Sequence, residues 1–114
     1  MRFLLLANML FELAIGFIMI YQPSLILAAD NVLVVSLARS VGFLACIMGV
    51  FSGLLLKYSD NKEVLSVGLL VFLMFHSGFA YLQYLNFTTG IAPIQVVIIH
   101  GVFASGFLYY FSRN

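Results

Sequence analysis

Residues 8–17, NMLFELAIGF, hold the decision about the fold. They lie in an apolar run that begins after Arg2 and continues to Tyr21, and Glu12 interrupts it. A secretory signal peptide needs an unbroken apolar region followed by a small-x-small cleavage pair. Glu12 breaks the first, and the downstream LILAAD, Leu25–Asp30, lacks a good version of the second. The run therefore reads as a retained transmembrane helix with a carboxylate in mid-span.

Composition sets the solvent. Of 114 residues, 64% are hydrophobic and 8% charged. A soluble fold this small leaves much of its surface exposed and could not hide so much apolar area. Lipid is the expected solvent, and residues 1–114 read as one transmembrane domain. A net charge of +1 with no basic run argues against a nucleic-acid partner. The single cysteine, Cys46, excludes an internal disulfide and any multi-cysteine metal site.

A span needs about 20 mainly apolar residues. Four stretches qualify, residues 2–21, 32–56, 64–85 and 91–111. Proline in Tyr21-Gln22-Pro23-Ser24 disfavours helix in the residue before it and lacks an N–H, so it ends the first span. Asp30 or Asn31 can cap the second. Residues 57–63, KYSDNKE, form the charged loop, and residues 86–90, NFTTG, a short polar turn. Leu25-Ile26-Leu27 is too apolar for open water and is expected to form a short interfacial helix. Arg2, Lys57, Lys62 and Arg113 fall on one side of a four-span model, while the other two loops contain no Lys or Arg. The positive-inside rule then places both termini and the charged loop in the cytoplasm. The expected fold is all-α, an integral membrane four-helix bundle running up-down-up-down. The expected location is a bacterial inner membrane. Ala45, Gly49 and Gly53, and the row Ala38, Gly42 and Cys46, supply small residues for close helix packing within the protein. The tyrosines mostly mark interfacial belts.

At about 1.5 Å per residue, depth can be counted from the basic residue flanking each span. Glu12 lies about 15 Å up from Arg2, while His76 and His100 each lie roughly 20 Å up their own spans. Arg39 sits about 27 Å above Lys57, near the outer interface. Asn8, Glu12 and Gly16 share a face at four-residue spacing, and His76 shares one with Gln83. An ionisable group at membrane depth costs about 2.5–3.5 kcal/mol on insertion scales and tends to face protein or a wet cavity. Turning these faces inward gives an expected polar cavity with Glu12 at its inner end, Gln83 near its mouth and Arg39 above. Alternatively, Arg39 snorkels to the headgroups, and either histidine is a packing residue with a hydrogen bond. Gln83 and Gln95 either line the mouth or sit at the interface.

Several chemistries use these side chains. His76 and His100 could ligate a haem from opposite sides. With Glu12 they could form a facial metal triad, although no local ligand pair at helical spacing anchors one. A pocket for a quinone, a lipid headgroup or another small ligand requires the least special geometry. No GxSxG, HExxH or phosphate-binding glycine loop is present, so hydrolysis has little support. Asn86-Phe87-Thr88 is formally a glycosylation sequon but lies against the membrane.

Two resemblances follow. YQPS at the end of span one, and ARSVGFLACIMG, Ala38–Gly49, in span two, resemble the DoxX-like superfamily of small four-helix membrane proteins. The matching features are Pro23 and Arg39 followed by Gly42 and Gly49. That resemblance implies a quinone-associated redox subunit, or an accessory or chaperone protein for a membrane complex. FELAIG, Phe11–Gly16, is similar to the first helix of small multidrug resistance transporters, in which the glutamate exchanges protons for cationic substrates within a dimer. The chain departs from that family in having no tryptophan, and Arg39, His76 and His100 add positive charge unsuited to a cation site.

The leading expectation is a non-catalytic protein of the lipid bilayer that binds a small or lipophilic ligand through Asn8, Glu12, Arg39, Gln83, His76 and His100. The alternatives are an accessory subunit or assembly factor in a homo-oligomer or larger complex, and a proton-coupled transporter with Glu12 as carrier.

Overall fold

A computed structural model describes residues 1–26 and 31–114 of the chain. Among them four helices, and no strand, are long and apolar enough to cross a membrane. Helix α1 covers Arg2–Tyr21. It stops where Gln22 leaves helical geometry (φ −138°, ψ 56°) ahead of the proline, and one 3-10 turn follows over Pro23–Leu25. Of the interfacial helix expected at Leu25–Leu27, Leu25 belongs to that turn and the Ile26 N–H donates to the Pro23 carbonyl at 3.0 Å. Leu27 and Asp30 lie outside the described residues.

Helix α2 covers Val32–Lys57. Its cap is Asn31, whose side-chain oxygen accepts from the Leu33 N–H at 2.8 Å. Helix α3, Lys62–Thr88, starts the same way: extended Asn61 accepts from the Val64 N–H at 3.1 Å, and Glu63 sits at the positive end of the helix dipole. Hydropathy alone started this span at Val64 and ended it at Leu85. The cap extends it at the start, and a Schellman closure extends it at the end. There Gly90, at φ +75°, donates to the Phe87 carbonyl at 3.0 Å and Ile91 donates to Asn86 at 2.8 Å. Helix α4 covers Ile94–Phe111. It begins three residues later than Ile91 because Pro93, the cap at φ −76° and ψ 146°, keeps Ala92 out of the helix.

The chain divides into two compact units, Arg2–Lys57 and Tyr58–Asn114. Each is an antiparallel helical hairpin. In the first, Leu5, Asn8, Glu12 and Gly16 are the buried residues of α1. The α1–α2 seam runs through Met9, Leu13 and Gly16, which meet Gly53, Gly49 and Gly42, and Ala38, Ala45 and Ser52 of α2 are buried as well. Small residues let the backbones approach. A Cβ added at Gly42 would lie 2.8 Å from both the Gly16 carbonyl oxygen and the Met19 Cβ, and one at Gly49 would lie 2.8 Å from Leu13 Cγ. The buried Ser52 hydroxyl crosses the seam to donate to the Leu5 carbonyl at 2.8 Å.

In the second hairpin Leu65, Leu69, Phe72 and His76 form the buried face of α3, and His100 and Phe107 that of α4. At one end the Asn114 amide donates to the Lys62 carbonyl at 3.1 Å and to the Ser66 hydroxyl at 2.6 Å. Nearby Arg113 stacks 4.5 Å over the Tyr109 ring. The remaining helix surfaces carry exposed Leu, Ile, Val, Phe and Met, a surface suited to acyl chains.

Candidate functional site: a buried histidine pair

Phe72 and His76 are four residues apart on α3, and His100 and Phe107 seven apart on α4, so each pair shares one side of its helix. Running antiparallel, the two sides meet in layers. Phe72 stacks on Phe107 with centroids 4.9 Å apart. One turn further along, His76 Nδ1 lies 2.9 Å from His100 Nδ1. His76 has no exposed surface and His100 has 5%. The equal depth counted from the sequence becomes direct contact.

Aromatic rings fix both imidazoles. Phe103 and Phe107 stack on His76 at 5.0 and 5.5 Å, and Phe75 meets it edge-on at 5.0 Å. Phe79 lies 4.6 Å from His100. In a neutral imidazole one ring nitrogen donates and the other accepts. An Nδ1-to-Nδ1 hydrogen bond therefore requires opposite tautomers, one ring donating its Nδ1–H and the other accepting. In a dry aromatic setting such a bond is electrostatically stronger than in water.

The other expected site residues are placed as follows. Asn8 and Glu12 lie on the buried face of α1, with 0% and 1% of their surface exposed, turned away from acyl chains as their insertion cost demands. Arg39 is exposed on α2, and its Nε donates to the Ile20 carbonyl at 3.2 Å. It therefore closes one of the open carbonyls at the C-terminal end of α1, where a cation is favoured by the helix dipole. Gln83 is half-buried on α3 and accepts from the Asn86 amide at 3.4 Å, one turn away. Gln95 is exposed. The phenylalanine setting of the histidines was missed in the sequence, although Phe72 and Phe79 lie four and three residues from His76 and Phe103 and Phe107 lie three and seven from His100. Helical spacing was the available signal.

The donor set can hydrogen-bond a ligand, pass a proton between rings, or bind a metal through imidazole nitrogen. A haem iron held between two axial nitrogens at about 2.0 Å each needs them about 4 Å apart on opposite sides. The Nδ1 atoms are 2.9 Å apart, and facing one another they turn the Nε2 atoms away from each other. Bis-histidine haem does not fit this arrangement. No protein-family model, curated protein or solved structure matches the chain.

Proposed function

We propose that this is a small polytopic membrane protein that binds a small or lipophilic ligand within the membrane and performs no chemistry of its own. The observation that supports the reading most strongly is the buried His76–His100 contact at 2.9 Å. Polar groups at membrane depth are costly, and those retained there commonly serve ligands, ions or protons. Two imidazoles on separate helices, held by phenylalanine side chains, form an apolar-walled polar point of the kind small-ligand sites use. Asn8 and Glu12, buried on the first hairpin, add a second intramembrane polar row to the same reading. The class of ligand that best suits such groups carries one hydrogen-bonding function on a lipophilic body, as a quinone or a lipid does.

Within this proposal the helices run up-down-up-down, with both termini and the Lys57–Lys62 segment in the cytoplasm of a bacterial cell and the protein in its inner membrane. The distribution of Arg2, Lys57, Lys62 and Arg113 supports that orientation.

Mass spectrometry of organic extracts of the detergent-purified protein tests the reading. A stoichiometric small molecule in the wild type, depleted in His76→Ala and in Glu12→Gln, is the expected result. An extract with nothing beyond bulk lipid, together with unchanged growth and membrane assembly of both variants, would reject ligand binding in favour of an accessory or packing role.

A further inference from the structure

We infer that His76 and His100 form a chelating pair for a late first-row divalent metal ion of the zinc and copper type, coordinated through the two Nδ1 atoms. The inference rests on the histidine pair being the ligand site and names what the site takes. Two nitrogens bound to one tetrahedral metal at 2.0–2.1 Å lie about 3.3 Å apart. The Nδ1 atoms stand at 2.9 Å, so roughly 0.4 Å of separation converts a hydrogen-bonded pair into a chelating one. A shift of that size is within the reach of side-chain torsions and leaves the α3–α4 backbone in place.

The setting favours the same conclusion. Phe103 and Phe107 stacked on His76, and Phe79 against His100, hold both ring planes with the nitrogens converging. Pre-positioned ligands in a water-poor shell bind metal more tightly than ligands that must first be ordered. Neutral imidazole suits zinc, copper and nickel, while magnesium and calcium require oxygen donors. Two protein nitrogens leave further coordination positions, so the ion can carry a small polar ligand in turn. When the ion enters, the ring that carries the Nδ1–H changes tautomer, its proton leaving Nδ1 and its bare Nε2 taking one up, so that both Nδ1 lone pairs point at the metal and both rings stay neutral.

Tag-free, full-length protein in detergent, stripped with a chelator and titrated with zinc, tests the inference, with magnesium as the control. The expected result is one saturable zinc per chain and no response to magnesium. X-ray absorption of the zinc-loaded protein should show two imidazole nitrogens at about 2.0 Å. His76→Phe and His100→Phe, which keep an aromatic ring in the layer, should each weaken zinc binding beyond the roughly 10–100-fold typical of losing an outer-shell partner. Wild type that binds no saturable zinc or copper, or variants that bind as the wild type does, overturn the inference. If the variants do not fold, nitrogen-15 imidazole spectra of the wild type decide: zinc that moves both Nδ1 signals supports chelation, and signals unmoved at saturating zinc refute it. An organic ligand lost in His76→Ala from chelator-stripped protein that takes up no metal would refute the metal while leaving ligand binding intact. Zinc bound at the pair with no organic molecule in the extract would do the reverse.

Discussion

At the scale of single residues, a polar side chain in a membrane helix can serve a site or hold the fold, and Arg39 and Ser52 both bond a backbone carbonyl of α1. Depth counting placed Arg39 near an outer interface, but whether it guarded a cavity or closed a helix depended on a side-chain direction that spacing does not encode. Its bond to the Ile20 carbonyl shows it closing the end of α1. Arg39→Gln should lower stability only slightly, about 0.3–1 kcal/mol for an exposed charge at a helix end, and leave any co-purifying ligand bound. A mass-spectrometric extract of Arg39→Gln depleted of that ligand would return Arg39 to the site. Ser52 passed unnoticed because its neighbours were read in steps of four, as Ala45-Gly49-Gly53. Gly49 and Gly53 do pack on α1, against Leu13 and Met9, and the buried Ser52 lies between them, three residues past Gly49. Ser52→Ala removes the buried bond to Leu5. It should lower resistance to SDS unfolding by about 0.6 kcal/mol and by no more than about 1.7. Glu12 and the histidines were legible for a more general reason: the cost of an ionisable group in hydrocarbon is large enough to dictate burial whatever the helix rotation.

Among the elements, helix existence followed from apolar length, while helix ends followed from local chemistry that hydropathy cannot see. The end of α1 at Tyr21 was read correctly because Pro23 is an unambiguous stop. The far end of α3 was set three residues short because the Schellman closure depends on Gly90 adopting a positive φ, and NFTTG reads from sequence as a turn from its first residue. The glycines separate into two kinds with opposite expected responses. Gly42 lies where two backbones touch, so Gly42→Ala forces the α1–α2 seam apart and should lower the unfolding midpoint by several degrees in a thermal scan. Gly78 and Gly101 have no atom within 4 Å of an added Cβ. Gly78→Ala and Gly101→Ala should therefore be neutral or gain up to the roughly 1 kcal/mol by which alanine exceeds glycine in a helix interior. A Gly42→Ala protein as stable as the wild type would show that the first hairpin does not depend on that close approach.

For the molecule as a whole, the bilayer is the constraint that makes the sequence readable, since every backbone polar group in lipid must be satisfied within a helix. It also explains why side chains facing lipid carry so little information: many different apolar residues serve there equally well. Orientation depends on still fewer residues. Arg2, Lys57, Lys62 and Arg113 against no Lys or Arg in the other two connections give a bias that the translocation machinery reads near span ends. With Cys46 replaced by alanine, single cysteines at Asp60 and at Thr89, both exposed positions, test the proposed topology, which puts them on opposite faces of the membrane. A membrane-impermeant maleimide added to intact cells should label Thr89→Cys and spare Asp60→Cys until the membrane is opened. Replacing Lys57 and Lys62 by glutamine removes half of the bias and should produce a second population with the opposite labelling, because only Arg2 and Arg113 then oppose inversion. Labelling of Asp60→Cys in intact cells carrying all four basic residues would mean that the charges do not set the orientation, and the proposed cytoplasmic termini would then have to be abandoned.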